Sequence, residues 1–452
     1  MILEAMIRSA KTLIVAALAG ALAATGGLAH AADPDPWQPC PAGDVPLECA
    51  RVTVPVDWSK PTGDTLVLKV ARLRATGTRL GSVVVDPGGP GIPGTQFLAA
   101  AGTRFAALRS SYDVVAWDPR GVGGSAPISC PGPRPDSGVP VTVVERERFE
   151  RETAAWAGRC RRAVGPLFDH VDTISNARDL DRLRQVLGEP RLTYYGGFYG
   201  TRIGQFYADV FPRRTGRMVL DAVVDTTSEN GPFVDGATRA KEDAFTGYLH
   251  TCAARPACPL KGMSLAQVRA WLIPRIAAEP AVGGEIVGNL TSPADWPAID
   301  AHLSKVRAGT YRPPADDNSG DVLNTDVNCL DLPDHRTAAQ VVADSRRAAA
   351  RYPLFGRLMT ATTVCNRWPA PATYHPHRIT APTPILLVGT RHDTATPYDW
   401  AVRTAANLGQ GRLLTRDGTG HGAYGTSPCV TDAVNRFLVT GALPRPGTVC
   451  TG

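Results

Sequence analysis

The sequence predicts a mostly parallel, doubly wound α/β sheet carrying an inserted helical cap. Three observations support that expectation. Short β-branched runs alternate with helical stretches along most of the chain. The strand signal disappears between about residues 226 and 374, where helical patches joined by Pro- and Gly-rich segments replace it. Glycine-rich turns follow two of the strand runs, at Asp86 to Gly91 and at Gly196 to Gly200.

In chain order, residues 1–31 read as a signal peptide. Arg8 and Lys11 supply the positive start, an Ala-, Leu-, Val- and Gly-rich run follows, and Ala29-His-Ala31 gives the small-x-small cleavage pattern. A membrane anchor is the alternative, but no stop-transfer charges follow the run, and no later segment is apolar enough to span a bilayer. Export is therefore expected, without stable membrane insertion.

Core strands are expected at 82–86, 113–117, 192–195, 218–223 and 384–388. Ahead of them, 50–56 and 65–73 alternate apolar and polar residues as half-exposed antiparallel strands do. The organisation is a first core part at 32–225, a cap at 226–374 with helices at 264–278 and 337–352, and a second core part at 375–452.

The formal net charge of +6 is spread among arginines with no basic block, which argues against nucleic acid as a partner. Ten cysteines in an exported chain are most simply disulfide-bonded. Sequence does not fix their connectivity; nearest neighbours are Cys40/Cys49, Cys130/Cys160, Cys252/Cys258, Cys329/Cys365 and Cys429/Cys450. None of these pairs has Cys-x-x-Cys spacing, so neither a metal site nor a cofactor is expected.

The segment Thr193-Tyr-Tyr-Gly-Gly-Phe-Tyr-Gly-Thr201 has the strand, tight turn and helix of a G-x-S-x-G nucleophile elbow. Phe198 stands where the serine belongs and offers no nucleophilic atom. Tyr199 points elsewhere, its phenol normally titrating near 10, and Thr201 lies a turn too far on. Acyl-enzyme chemistry is expected to be absent.

The remaining parts of a hydrolytic site are present in order. Asp86-Pro-Gly-Gly-Pro-Gly91 follows a strand as an oxyanion loop does, with Gly88, Gly89 and the backbone of Tyr199 as its donors. Asp393 ends a buried strand in the place of a triad acid, and His421 sits between glycines in the place of the base. His392 and Asp417 are the local rivals, and neither lies at the expected loop tip.

Together these segments resemble the secreted tripeptidyl aminopeptidase-like branch of the α/β-hydrolases, serine peptidases related to prolyl aminopeptidases. Further carriers are Val54-Pro-Val-Asp-Trp58, Val114-Val-Ala-Trp-Asp-Pro-Arg-Gly121, Asp179-Leu-Asp-Arg-Leu-Arg184, Tyr207-Ala-Asp-Val-Phe-Pro212 and Gly441-Ala-Leu-Pro444. The resemblance spans nearly the whole mature chain. It implies the α/β-hydrolase fold, Asp393 as acid, His421 as base, and a cap that narrows the site toward short peptides with a free N-terminus. On the same ground Asp331, beside Cys329, is expected to meet that amine, and Asp118 and Arg120 to form an internal charge pair.

Three functions compete. The first is non-hydrolytic general-base chemistry by Asp393 and His421, promoting addition, cyclisation or elimination on an apolar small molecule. The second is a dead peptidase homologue that binds a small molecule or short peptide. The third is ordinary exopeptidase or esterase hydrolysis, which calls for a serine at 198 or slow direct attack by water.

Overall fold

The computed structural model describes residues 37–40, 46–132, 135, 138–252, 254–313, 319–370, 372, 374–375 and 377–451, and, of these, the side chains of 319–321 are left aside. The expected signal peptide lies outside the described residues. The strands are β1 (Gln38–Pro39), β2 (Glu48–Pro55), β3 (Thr65–Leu73), β4 (Gly81–Asp86), β5 (Tyr112–Trp117), β6 (Leu192–Gly197), β7 (Thr215–Asp221), β8 (Ile385–His392), β9 (Gly411–Thr419) and β10 (Val449–Thr451). They form one sheet in the order β1-β2-β3-β5-β4-β6-β7-β8-β9-β10. The first three pairings along that order are antiparallel and the rest are parallel.

The burial of each strand follows its composition. The runs of β4 and β5 are buried along their whole length, as central parallel strands are. In β2, Ala50, Val52 and Val54 point inward and their neighbours outward, the alternation of a sheet with one wet face. One expectation fails at its end: β7 stops at Asp221 rather than reaching Val223, because Ala222 turns to φ 60°, which breaks the extended run.

The helices are α1 (Gly94–Ala101), α2 (Ala106–Arg109), α3 (Val143–Val164), α4 (Thr173–Val186), α5 (Tyr199–Val210), α6 (Asn230–Cys252), α7 (Leu265–Ala278), α8 (Pro280–Asn289), α9 (Trp296–Arg307), α10 (Ser319–Asp331), α11 (Ala338–Arg351), α12 (Gly356–Ala361), α13 (Tyr398–Asn407) and α14 (Pro428–Thr440). Three starts are written locally as capping boxes, Thr142 with Glu145, Ser264 with Gln267 and Thr337 with Gln340. One core joins the sheet to α3, α4 and α5 through Phe149, Trp156, Leu180 and Phe206. The other joins it to α1 and α14 through Leu98, Val430 and Phe437, so both faces are covered.

Helices α6 to α12 are inserted between β7 and β8. Phe245, Tyr248, Leu272, Ile299 and Phe355 build a separate hydrophobic core among them. Helix α10 does not share it: Val322, Leu323, Val327 and Leu330 pack into the main core instead. The ten cysteines form the five nearest-neighbour disulfides. Among the described residues no helix is long and apolar enough to cross a membrane.

Candidate active site

Register in the sheet brings the carboxyl ends of β4, β6 and β7 level, since Asp86 pairs with Gly196 and Gly197 with Asp221. Crevices at such strand ends are where open α/β sheets bind ligands. A cleft of about 650 Å³ lined by Gly81, Glu189, Arg191, Gly216 and Thr383 lies at the opposite, amino ends of these strands and shares no residue with the site.

Phe198 occupies the turn between β6 and α5 with φ 54° and ψ −119°, a conformation that costs about 1–3 kcal/mol for a residue with a side chain. Its surroundings hold it there. The Phe198 N–H donates to the Asp221 carbonyl at 2.9 Å, and its own carbonyl accepts from Thr201 N at 3.0 Å and Thr201 Oγ1 at 2.6 Å. Two glycines are sterically required: a Cβ on Gly196 would lie 2.4 Å from the Gly200 carbonyl oxygen, and one on Gly200 would meet the Asp86 side chain at 3.0 Å. Thr201 therefore braces the elbow from within.

Gly88 (φ 87°) and Gly89 (φ 114°) fold the β4 loop down onto the elbow. A Cβ on Gly88 would stand 2.7 Å from the Tyr199 nitrogen and 2.9 Å from the Phe198 Cβ. The Gly88 N–H is spent on Asp86 Oδ1 at 2.6 Å, so it is not free to act as the anion donor expected of it. The Tyr199 phenol turns away into the core, 2.8 Å from Thr173 Oγ1.

His421 and Asp393 are brought together from separate loops. His421 Nδ1 lies 2.8 Å from Asp393 Oδ1, which also accepts from Ala395 N at 2.9 Å and Thr396 N at 2.8 Å. The rivals are elsewhere: His392 is exposed, and Asp417 faces Arg391 at 3.5 Å on the surface. The Phe198 ring lies on the His421 imidazole with centroids 4.0 Å apart and planes 24° off parallel. Gly422, at φ 82°, makes room, since a Cβ there would sit 3.0 Å from the Phe198 ring.

Sequence reasoning missed Asp221. Its buried carboxylate accepts from Ala423 N (3.0 Å), Tyr424 N (2.8 Å) and Tyr195 OH (3.0 Å), anchoring the loop that presents His421. Burial raises its proton affinity, against the lowering by those donors. The cap also reaches this loop: the Thr291 carbonyl accepts from His421 N at 3.2 Å and Thr394 Oγ1 at 2.7 Å.

Two expected contacts are replaced by others inside the fold. Asp331 is fully buried at the end of α10, where its oxygens accept from Thr173 N (2.9 Å), Thr173 Oγ1 (2.5 Å) and Arg202 Nη1 (3.0 Å). It is an ion-pair partner inside the fold and does not meet a substrate amine. Asp118 and Arg120 do not pair with each other: Asp118 accepts from the backbone of Thr95 and Gly124, and Arg120 binds Asp179.

Asp86, at the start of the loop that carries Gly88 and Gly89, is pushed up to about 7 by burial, against the lowering from Gly88 N–H. An unfolded Asp releases its proton near 3.9 while the folded one keeps it, so stability falls as pH rises through that window and levels off above about 7. Asp86→Asn is expected to shrink the difference in urea midpoint between pH 4 and pH 7.5. An unchanged difference would remove Asp86 as a contributor.

Among known proteins, the family described as TAP-like protein matches residues 352–450, the segment that carries Asp393 and His421. Serine protease Hip1 of Mycobacterium tuberculosis is 33% identical over 512 residues, covering 98% of this chain and 97% of that protein. Tripeptidyl aminopeptidase of Streptomyces coelicolor is 31% identical over 485 residues, covering 96% and 88%. Carboxylesterase B of M. tuberculosis is 32% identical over 457 residues, covering 89% and 86%.

Proposed function

The chain belongs to the TAP-like family of α/β-hydrolases, and we propose that within it this protein acts through Asp393 and His421 as a non-covalent general base. Supporting this reading is a dyad held at 2.8 Å beside a turn whose central residue, Phe198, carries no nucleophilic atom. With Nδ1 held by Asp393, His421 Nε2 takes a proton from a phenol, an enol or an activated C–H of an apolar small molecule. The carboxylate stabilises the imidazolium that forms, and the N–H groups of Gly89 and Tyr199 face the resulting anion. Addition, cyclisation or elimination follows from that anion, with the Phe198 ring as an apolar wall. The protein works outside the cell, an assignment supported by its five disulfides.

A second reading, a binding protein without turnover, draws on the Phe198 ring stacked over His421. A benzisoxazole, which opens when a base removes one C–H proton, separates the two. General-base catalysis predicts acceleration over buffer that falls about 10²- to 10⁴-fold to background in His421→Ala. Binding of the probe with no acceleration, or equal rates in His421→Ala, would replace this reading with the second.

A further inference from the structure

Each half of the dyad sits on its own loop. Asp393 is held from within its loop, where Oδ1 accepts from Ala395 N at 2.9 Å and Thr396 N at 2.8 Å. His421 follows the end of β9, and Gly420 N donates to the His392 carbonyl at 3.2 Å. The two loops are therefore tied once directly, one residue before the base and one before the acid.

A second tie runs through the cap. The turn after α8 brings the Thr291 carbonyl to both loops: Thr394 Oγ1 donates to it at 2.7 Å and His421 N at 3.2 Å. One oxygen thus accepts from the residue after the acid and from the backbone of the base itself. The cap fixes where that oxygen stands, because Leu290 and Trp296, on either side of the turn, are buried in the cap's own core. Between them Pro293 packs on the base loop, its Cδ standing 3.6 Å from where a Cβ on Gly420 would be. Thr394 is fully buried, and a buried hydroxyl left without a partner costs free energy, so displacement of the turn is opposed at this residue.

We infer that Thr394 is a positioning residue of the dyad, the point at which the cap clamps the acid loop and the base loop to one backbone carbonyl. The short bond from Thr394 carries the clamp, and the longer one from His421 depends on it. With the turn seated, the His421 backbone is held by the cap and its imidazole by Asp393, at 2.8 Å. Fixing both ends of the residue keeps the ring in the orientation that proton abstraction needs. The clamp deepens the general-base reading and takes its purpose from it, while its geometry stands on the hydrogen bonds alone.

The test is amide hydrogen exchange of the full folded chain, read by mass spectrometry with fragmentation that resolves His421, in Thr394→Ala and Thr394→Ser. Both variants lose the methyl group, so they differ only in the hydroxyl. In Thr394→Ala the His421 amide should exchange about three- to tenfold faster, the change given by one hydrogen bond of ordinary net strength. Thr394→Ser should restore the exchange of the unmodified protein, and α7 and α9 in the cap core should keep equal protection in all three. A merely structural threonine would loosen its own loop without reaching His421, or would be damaged equally by both replacements. Should Thr394→Ala fold poorly, Thr394→Val, which keeps the side-chain shape, takes its place in the comparison. A folded variant lacking the hydroxyl with an unmoved His421 amide, or a Ser variant as fast as Ala, would overturn the inference. Failure of the benzisoxazole assay would not, because the exchange is read without substrate.

Discussion

Phe198→Ser is expected to convert a protein inert to fluorophosphonate probes into one labelled stoichiometrically at residue 198. The backbone at 198 already has the φ 54°, ψ −119° turn that aims a side chain off the end of β6. The ring now resting on His421 would be replaced by a hydroxyl on the same side of the turn. His421 keeps Asp393 at 2.8 Å, so the base that must take the serine proton is already oriented. Triad members act as a unit, so one missing member hides what the other two can do, and restoring it gives a gain far larger than any single contact. Phe198 is only partly buried, so losing its ring costs less than truncating a core aromatic, and the fold should persist. Mass mapping of the labelled peptide reads the result. A folded Ser variant that stays unlabelled would mean that the dyad no longer serves a nucleophile, and the binding-protein reading would then stand above the general base.

The parts of this site that sequence could show are those encoded locally. Gly196, Phe198 and Gly200 share one turn, and their spacing declares the frame of an elbow with Phe198 at its centre. Asp393 and His421 were legible from chain order and from the glycines and strand around them, without any view of the distance between them. Groups defined by long-range packing were hidden. Asp221 is an acid at the end of a buried strand, but the backbone N–H groups of Ala423 and Tyr424 that make it an anchor of the His421 loop are more than two hundred residues away in chain order. Asp331 carries no mark in the sequence that separates a surface acid from the buried partner of Arg202. For the same reason the cap bounds expected from the sequence, 226–374, do not tell that the apolar face of α10 packs into the main core.

Arg120→Met is expected to destabilise the protein by about 3–5 kcal/mol, the usual cost of leaving one partner of a buried ion pair alone. Arg120 and Asp179 are both fully buried. The guanidinium donates Nε to Asp179 Oδ2 at 2.7 Å and Nη2 to Oδ1 at 2.6 Å. Its other donors reach the carbonyls of Val56 (2.8 Å), His170 (2.9 Å) and Pro55 (3.0 Å). Trp58 Nε1 completes the carboxylate at 2.9 Å. Three of the segments that gave the sequence its family resemblance, those around Trp58, Arg120 and Asp179, thus meet at one pair, and their shared role is structural. Burial raises the proton affinity of Asp179 and Arg120 pulls it down, so without the arginine the carboxyl must either take a proton or remain as an unpaired charge. Lysine cannot substitute, because one ammonium cannot fill the five-donor fork. Arg120→Lys should lose most of the same stability, and a combined Arg120→Met, Asp179→Leu variant should lose less than the two single losses added. Urea midpoints of the four proteins measure that coupling. A loss below about 1 kcal/mol in Arg120→Met would place the pair among exposed, weakly contributing salt bridges and contradict its burial.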